Sequence, residues 1–135
     1  MEFITWQESM SVGIPMIDQD HKTIMKLINF SHQQIKDDHK DKILSSALNA
    51  LIDYTLYHFT REEKLMADNN YPGLEDHKLQ HQVMIDEIKR LETKYNEQGH
   101  EAFEEVSQFL SDWLIKHING TDKQYTKHLN DCGIY

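Results

Sequence analysis

Several of this chain's nine histidines stand at spacings that would let them share a metal ion. His58 and Glu62 are four residues apart, as are His77 and His81. At that spacing two side chains leave one face of a helix, a turn apart. His21 stands alone upstream, and His117 is followed five residues later by Asp122. Neutral imidazole binds zinc, copper, iron or nickel, and carboxylates add charge to the same set. The candidate metal ligands are therefore His21, His58, Glu62, His77, His81, His117 and Asp122.

The elements that must carry them follow from hydrophobic periodicity. Breakers are scarce, with five Gly and two Pro, which favours long helices. The first is expected over about 18–38, with Asp18 as its N-cap and Ile17, Ile24, Ile28 and Ile35 as its stripe; His21 falls in the same spacing. The second, over about 40–67, carries Leu44, Leu48, Leu51, Thr55, His58, Glu62 and Leu65 in alternating steps of about four and three, the seam of a bundle helix. DNNYPG at 68–73 is a turn by composition. The third, over about 74–96, presents His77, His81, Met84, Ile88, Leu91 and Tyr95 and ends at Gly99. The fourth, over about 101–119, presents Phe103, Val106, Leu110, Trp113 and His117. Residues 1–17 read as an N-terminal arm anchored by Phe3, Ile4 and Trp6. Short connections make sequential helices antiparallel. The expected fold is all-α: one domain over 1–135, an up-down-up-down antiparallel four-helix bundle with that arm and a short C-terminal helical segment.

Each helix thus places a histidine where its period calls for an apolar side chain, and the second adds a glutamate. One histidine on an apolar face is usually a satisfied core residue. Four helices doing so together, with a carboxylate too costly to bury unpaired, point to a shared metal site. His117 and Asp122 lie about 140° apart on a regular helix, so both can face inward only if the helix widens or breaks near Asn119-Gly120, as in a π-bulge. His39 lies in the first inter-helix turn and His100 beside Gly99, both expected in solvent; His128 follows the site in a charged tail (TDKQYTKH) and is set aside; His32 shares a face with His21 but lies three turns away.

Composition narrows the partners. A net charge of −9 argues against nucleic acid or an anionic membrane surface. No secretory signal is visible in Met1 to Asp20, and no run approaches the roughly 18 apolar residues of a membrane span. The single cysteine, Cys132, can form no internal disulfide and fits a reducing cytoplasm.

The seven candidate positions in this order resemble the ligand pattern of the hemerythrins. The likeness extends to Ile17-Asp18, to His58-Phe59 through Leu65-Met66 and to His117-Ile118 through Asp122; Trp6 with Val12-Gly13-Ile14 is similar to the bacterial members. The resemblance implies two iron ions joined by an oxo or hydroxo bridge and by Glu62 and Asp122. His77, His81 and His117 would hold one ion, His21 and His58 the other. At about six positions per ion this leaves one open, on the two-histidine side, where dioxygen would bind reversibly. Leu114 would cover it, with Trp113 and Phe59 thickening the apolar wall, and no Cys, Lys or unassigned Asp or Glu lies on the seams beside it. Where many bacterial members have Gln, this chain has Asp20, which could accept a ligand histidine's second ring N–H.

The expected function is reversible dioxygen binding by a non-enzyme, a cytoplasmic monomer that stores, transports or delivers oxygen to an oxygen-requiring enzyme. The alternatives are an oxygen or redox sensing module and a di-iron oxidase or peroxidase. Five histidines favour carriage over oxidase chemistry, for which ferritin-like sites use more carboxylates. Seven ligands are too many for one tetrahedral zinc.

Overall fold

The computed structural model describes residues 4–36, 41–99 and 103–135. Four long helices, α1 (Pro15–Lys36), α2 (Asp41–Asp68), α3 (Leu74–Gln98) and α4 (Phe103–Lys116), are followed by a π-helical turn (His117–Thr121), a 3-10 turn (Asp122–Tyr125) and a short α5 (Thr126–Asp131). α1 packs against α2 and α4, and α3 against the same two, which closes the ring of an up-down-up-down bundle. The expected side-chain roles of Phe3, Ile35, His39, Leu44, His100 and Phe103, and the expected helix limits at Asp38, Lys40 and Glu101, lie outside what is described.

Local chemistry explains where the helices start and stop. α1 begins at Pro15 rather than after Asp18, because proline's fixed φ and missing N–H suit the first helical position. Asp18 instead sits inside the first turn and reaches back to the arm. Its carboxylate accepts from the Val12 N–H at 2.8 Å and the Ser11 hydroxyl at 2.5 Å. α2 ends with Asn70 in the left-handed region (φ 55) and the Tyr71 N–H on the Met66 carbonyl at 3.0 Å, a six-to-one closure that satisfies a terminal carbonyl. α3 ends where Gly99 (φ 68) donates to the Tyr95 carbonyl.

The core follows the seams. Ile17, Ile24 and Ile28 of α1, Leu48 and Leu51 of α2, Met84, Ile88 and Leu91 of α3, and Val106 and Leu110 of α4 are all buried. Three expectations shift. On α2 the buried residue near the end is Met66 and Leu65 is half-buried; on α4 Leu114 is buried and Trp113 is half-buried. The arm is pinned by Ile4, Met10, Val12 and Ile14, with Trp6 only partly covered. Among the described residues no helix is long and apolar enough to cross a membrane.

Candidate metal centre

Each of the seven candidate residues comes from the element expected to carry it, and all are buried, the most exposed being His117 at 5%. α1 supplies His21, α2 His58 and Glu62, and α3 His77 and His81. His117 and Asp122 bracket the π-helical turn. The wider turn absorbs their awkward spacing, so both side chains reach the bundle axis, as the helical arithmetic required.

The side chains form two groups, His77, His81 and His117 on one side and His21 and His58 on the other, with Glu62 and Asp122 common to both; within each group the polar atoms lie within 4.8 Å of one another. The two carboxylates divide their oxygens between the groups. Glu62 Oε1 is 2.7 Å from His77 Nε2 and 3.1 Å from His81 Nε2, while Oε2 is 3.3 Å from His58 Nε2. Asp122 Oδ1 is 2.8 Å from His117 Nε2 and 3.0 Å from His77 Nε2, while Oδ2 is 3.0 Å from His21 Nε2.

Closeness here does not mean satisfaction. The Nε2 atoms of His21, His81 and His117 and both Asp122 oxygens are buried without a hydrogen-bond partner. Leaving such atoms bare is costly, and here they converge on two shared points. An ion at each point would meet nitrogen and oxygen donors of the kind divalent transition metals take, so the residues fit a pair of ions.

The electrostatics are those of a tight charge cluster. Burial disfavours the Glu62 carboxylate, but the pull of His58, with contributions from His77 and His81, holds its pKa well below the usual range. Burial and Glu62 push Asp122 up; His117, His21 and His77 outweigh them and hold it low. Burial opposes the charge on His58, yet Glu62 and Asp20 raise its pKa to about 10. His77, also opposed by burial, is raised to about 9 by Asp122 and Glu62. Protons hold the cluster together without metal, and a cation can replace them.

The surrounding shell orients the donors. Asp20 Oδ2 accepts from His58 Nδ1 at 2.9 Å, and Oδ1 accepts from the Tyr54 hydroxyl at 3.0 Å and lies 3.5 Å from Arg61 Nη1. This is the carboxylate partner expected of Asp20. Two further groups were not anticipated. Glu63 Oε2 accepts from His81 Nδ1 at 2.8 Å, and the buried Tyr125 hydroxyl donates to Glu62 Oε2 at 2.9 Å. Glu63 sits one residue off the α2 seam and reads as a surface charge; Tyr125 lies one turn past Asp122, a spacing that could have flagged it. Tyr125 also means that the centre has an O–H donor beside it, although the seams carry no spare acid or lysine. His32 is half-buried and outside both groups. His128, in the charged tail, is half-buried against Tyr71 and the Asn69 carbonyl and outside both groups.

Residues 12–129 match the family model described as "Hemerythrin HHE cation binding domain". The chain belongs to the hemerythrin family. It is 31% identical to a bacteriohemerythrin of Stenotrophomonas maltophilia, over 96% of this chain and 86% of that one. It is 30% identical to a bacteriohemerythrin of Methylococcus capsulatus, over 93% and 95%, and 28% identical to a myohemerythrin of Riftia pachyptila, over 92% of each. Its fold superimposes on a crystal structure of wild-type hemerythrin with a TM-score of 0.86 at 29% identity, covering 94% of this chain and 98% of that one.

Proposed function

We propose that this chain binds dioxygen reversibly at two iron ions held by His21, His58, Glu62, His77, His81, His117 and Asp122. The observation that carries this is the division of the carboxylate oxygens: Oε1 and Oδ1 face three histidines, Oε2 and Oδ2 face two. Glu62 and Asp122 would each offer one oxygen to either ion, and the two-histidine side has one protein donor fewer. Iron held by these residues would supply the reversible two-electron exchange with dioxygen that such binding needs. The rest is the work of the side chains. Asp20 accepts a hydrogen bond from the His58 Nδ1–H and so turns the Nε2 lone pair inward. Glu63 does the same for His81. Tyr125 holds Glu62 Oε2 in place. Leu114 and Phe59, both buried, keep water from the centre.

This reading makes the chain a binding protein rather than an enzyme, a cytoplasmic monomer that stores or delivers oxygen to an oxygen-consuming enzyme. The acidic charge and the exposed lone thiol of Cys132 are consistent with it. Metal analysis should give two irons per chain, and reduced protein should gain a visible charge-transfer band in air and lose it under argon over repeated cycles. A band that bleaches irreversibly with substrate turnover would favour a di-iron oxidase instead.

A further inference from the structure

All seven site residues are buried, and the one of them that lines a groove open to solvent is His117, on the three-histidine side. One turn below the cluster lies a small apolar cavity of about 10 Å³, at the lower edge of what holds a single water, so dioxygen enters it only as the surrounding side chains move. Its walls include a residue three positions from a site histidine on each helix: Ile24 after His21, Thr55 before His58, Met84 after His81 and Leu114 before His117. That offset is about 4.5 Å along a helix axis. Outside, a groove of about 300 Å³ runs beside the π-helical turn, walled by Gln80, Lys116, His117, Thr121 and Gln124. Among the described residues, Trp113 alone lines both spaces. The indole is half-buried, stacked on the His117 ring (centroids 4.2 Å, 16° between planes) and tilted against Phe59 at 5.6 Å.

We propose that Trp113 controls the passage of dioxygen between the outer groove and the inner cavity, an inference that rests on the oxygen-binding reading above. Moving a half-buried indole off one wall joins the two spaces without unpacking the helices, and such side-chain motion is fast. An uncharged gas loses nothing on leaving the polar groove for the apolar cavity, whereas an ion would lose its hydration. The groove has a second handle. Gly120 lines it, nothing lies within 4 Å of where its Cβ would be, and its φ is not in the left-handed region. A side chain added there grows into the groove without strain.

The test is stopped-flow oxygen association and dissociation on the iron-loaded protein. A residue that only controls passage changes both rates by the same factor and leaves their ratio alone. Trp113→Phe, which keeps an aromatic face on His117, is expected to raise both rates roughly three- to tenfold, and Gly120→Phe to lower both by a similar factor. Unchanged rates in both variants, or a changed ratio in Gly120→Phe, would overturn the proposal. A second readout needs no oxygen binding: in zinc-loaded protein carrying Trp6→Phe, quenching of Trp113 fluorescence by dissolved oxygen should weaken when Gly120→Phe is added. If the iron protein binds no oxygen, the functional reading fails, and equal quenching with and without Gly120→Phe then overturns the access route separately.

Discussion

Replacing Asp20 by asparagine exchanges one carboxylate oxygen for an amide nitrogen with almost no change of shape. The residue is 2% exposed, so water cannot stand in for the lost charge. His58 Nδ1 then faces a neutral amide, and the Tyr54 hydroxyl and Arg61 lose their anion. Removing the carboxylate behind a metal-bound histidine typically costs ten- to a hundredfold in ion affinity, or about 1.4–2.7 kcal/mol at 1.36 kcal/mol per decade. The loss should be confined to the ion on the His21–His58 side, because the other ion's histidines do not touch Asp20. Glu63→Gln is the counterpart for the three-histidine side. Glu63 is 25% exposed, so water partly replaces it and the loss should fall below about tenfold. The assay is competition for metal against a chromophoric chelator. Asp20→Asn should surrender one ion of two at a chelator concentration where wild type keeps both, and the double variant should loosen both. Loss of both ions together from Asp20→Asn, or of neither, would refute the division of the site into two separately supported halves.

Three further outcomes are expected. In metal-free protein His58 and His77 are raised from 6.5 to about 10 and about 9, so the stability they contribute is complete below about pH 6.5 and is lost as pH climbs through 9 to 10. The metal-free melting temperature should therefore fall between pH 7 and 10, a fall the metal-loaded protein should not share; a flat metal-free profile would contradict the raised values. Leu114→Ala should speed autoxidation of the oxygenated form, followed as loss of its visible band, and cost about 2–5 kcal/mol in denaturant unfolding; an unchanged autoxidation rate would remove Leu114 from its covering role. Gly13 combines a φ of +76° with a Cβ position 3.0 Å from the Thr126 side chain, so Gly13→Ala should lower stability by about 1–3 kcal/mol in thermal unfolding; a neutral effect would mean that the arm is not held against α5 as described.

How much of this could be read beforehand depended on whether a residue broke the pattern around it. His58, Glu62, His77 and His81 were legible because each occupies a position where the seam's period demands an apolar side chain. The π-helical turn was legible because a five-residue step cannot put His117 and Asp122 on one face of a regular helix. Glu63 breaks no pattern: an acid beside a seam on a helix rich in charge looks like solvated surface, and only the position of His81 Nδ1 on the neighbouring helix gives it a partner. The half-buried place of His128 was hidden for a similar reason, since its contacts are with the α2–α3 turn, far away in sequence. The start of α1 went astray by a different route. Two signals competed there, Asp18 as a cap and Pro15 as a first helical residue, and the arm's donors decided between them by claiming the Asp18 carboxylate.

The same contrast bears on how the centre discriminates between its two halves. The ligands alone make them differ by one histidine. The residues behind the ligands widen that difference. On the two-histidine side His58 is tied into a buried network of Asp20, Tyr54 and Arg61, while His21 Nδ1 is buried without any partner. One histidine there is backed at Nδ1 by a charge and the other is not. A donor without a hydrogen-bonded partner is a weaker base and freer to turn. That is an advantage where a ligand must come and go, and a liability on the side that must stay saturated. The three-histidine side also has one histidine backed by a carboxylate, His81 by Glu63, and its ring is stacked on Phe59 (ring centroids 3.9 Å, 8° between planes). If dioxygen binds on the two-histidine side as proposed, the donor that sets that side apart is His21, whose Nδ1 alone among the five histidines is buried without a partner among the described residues.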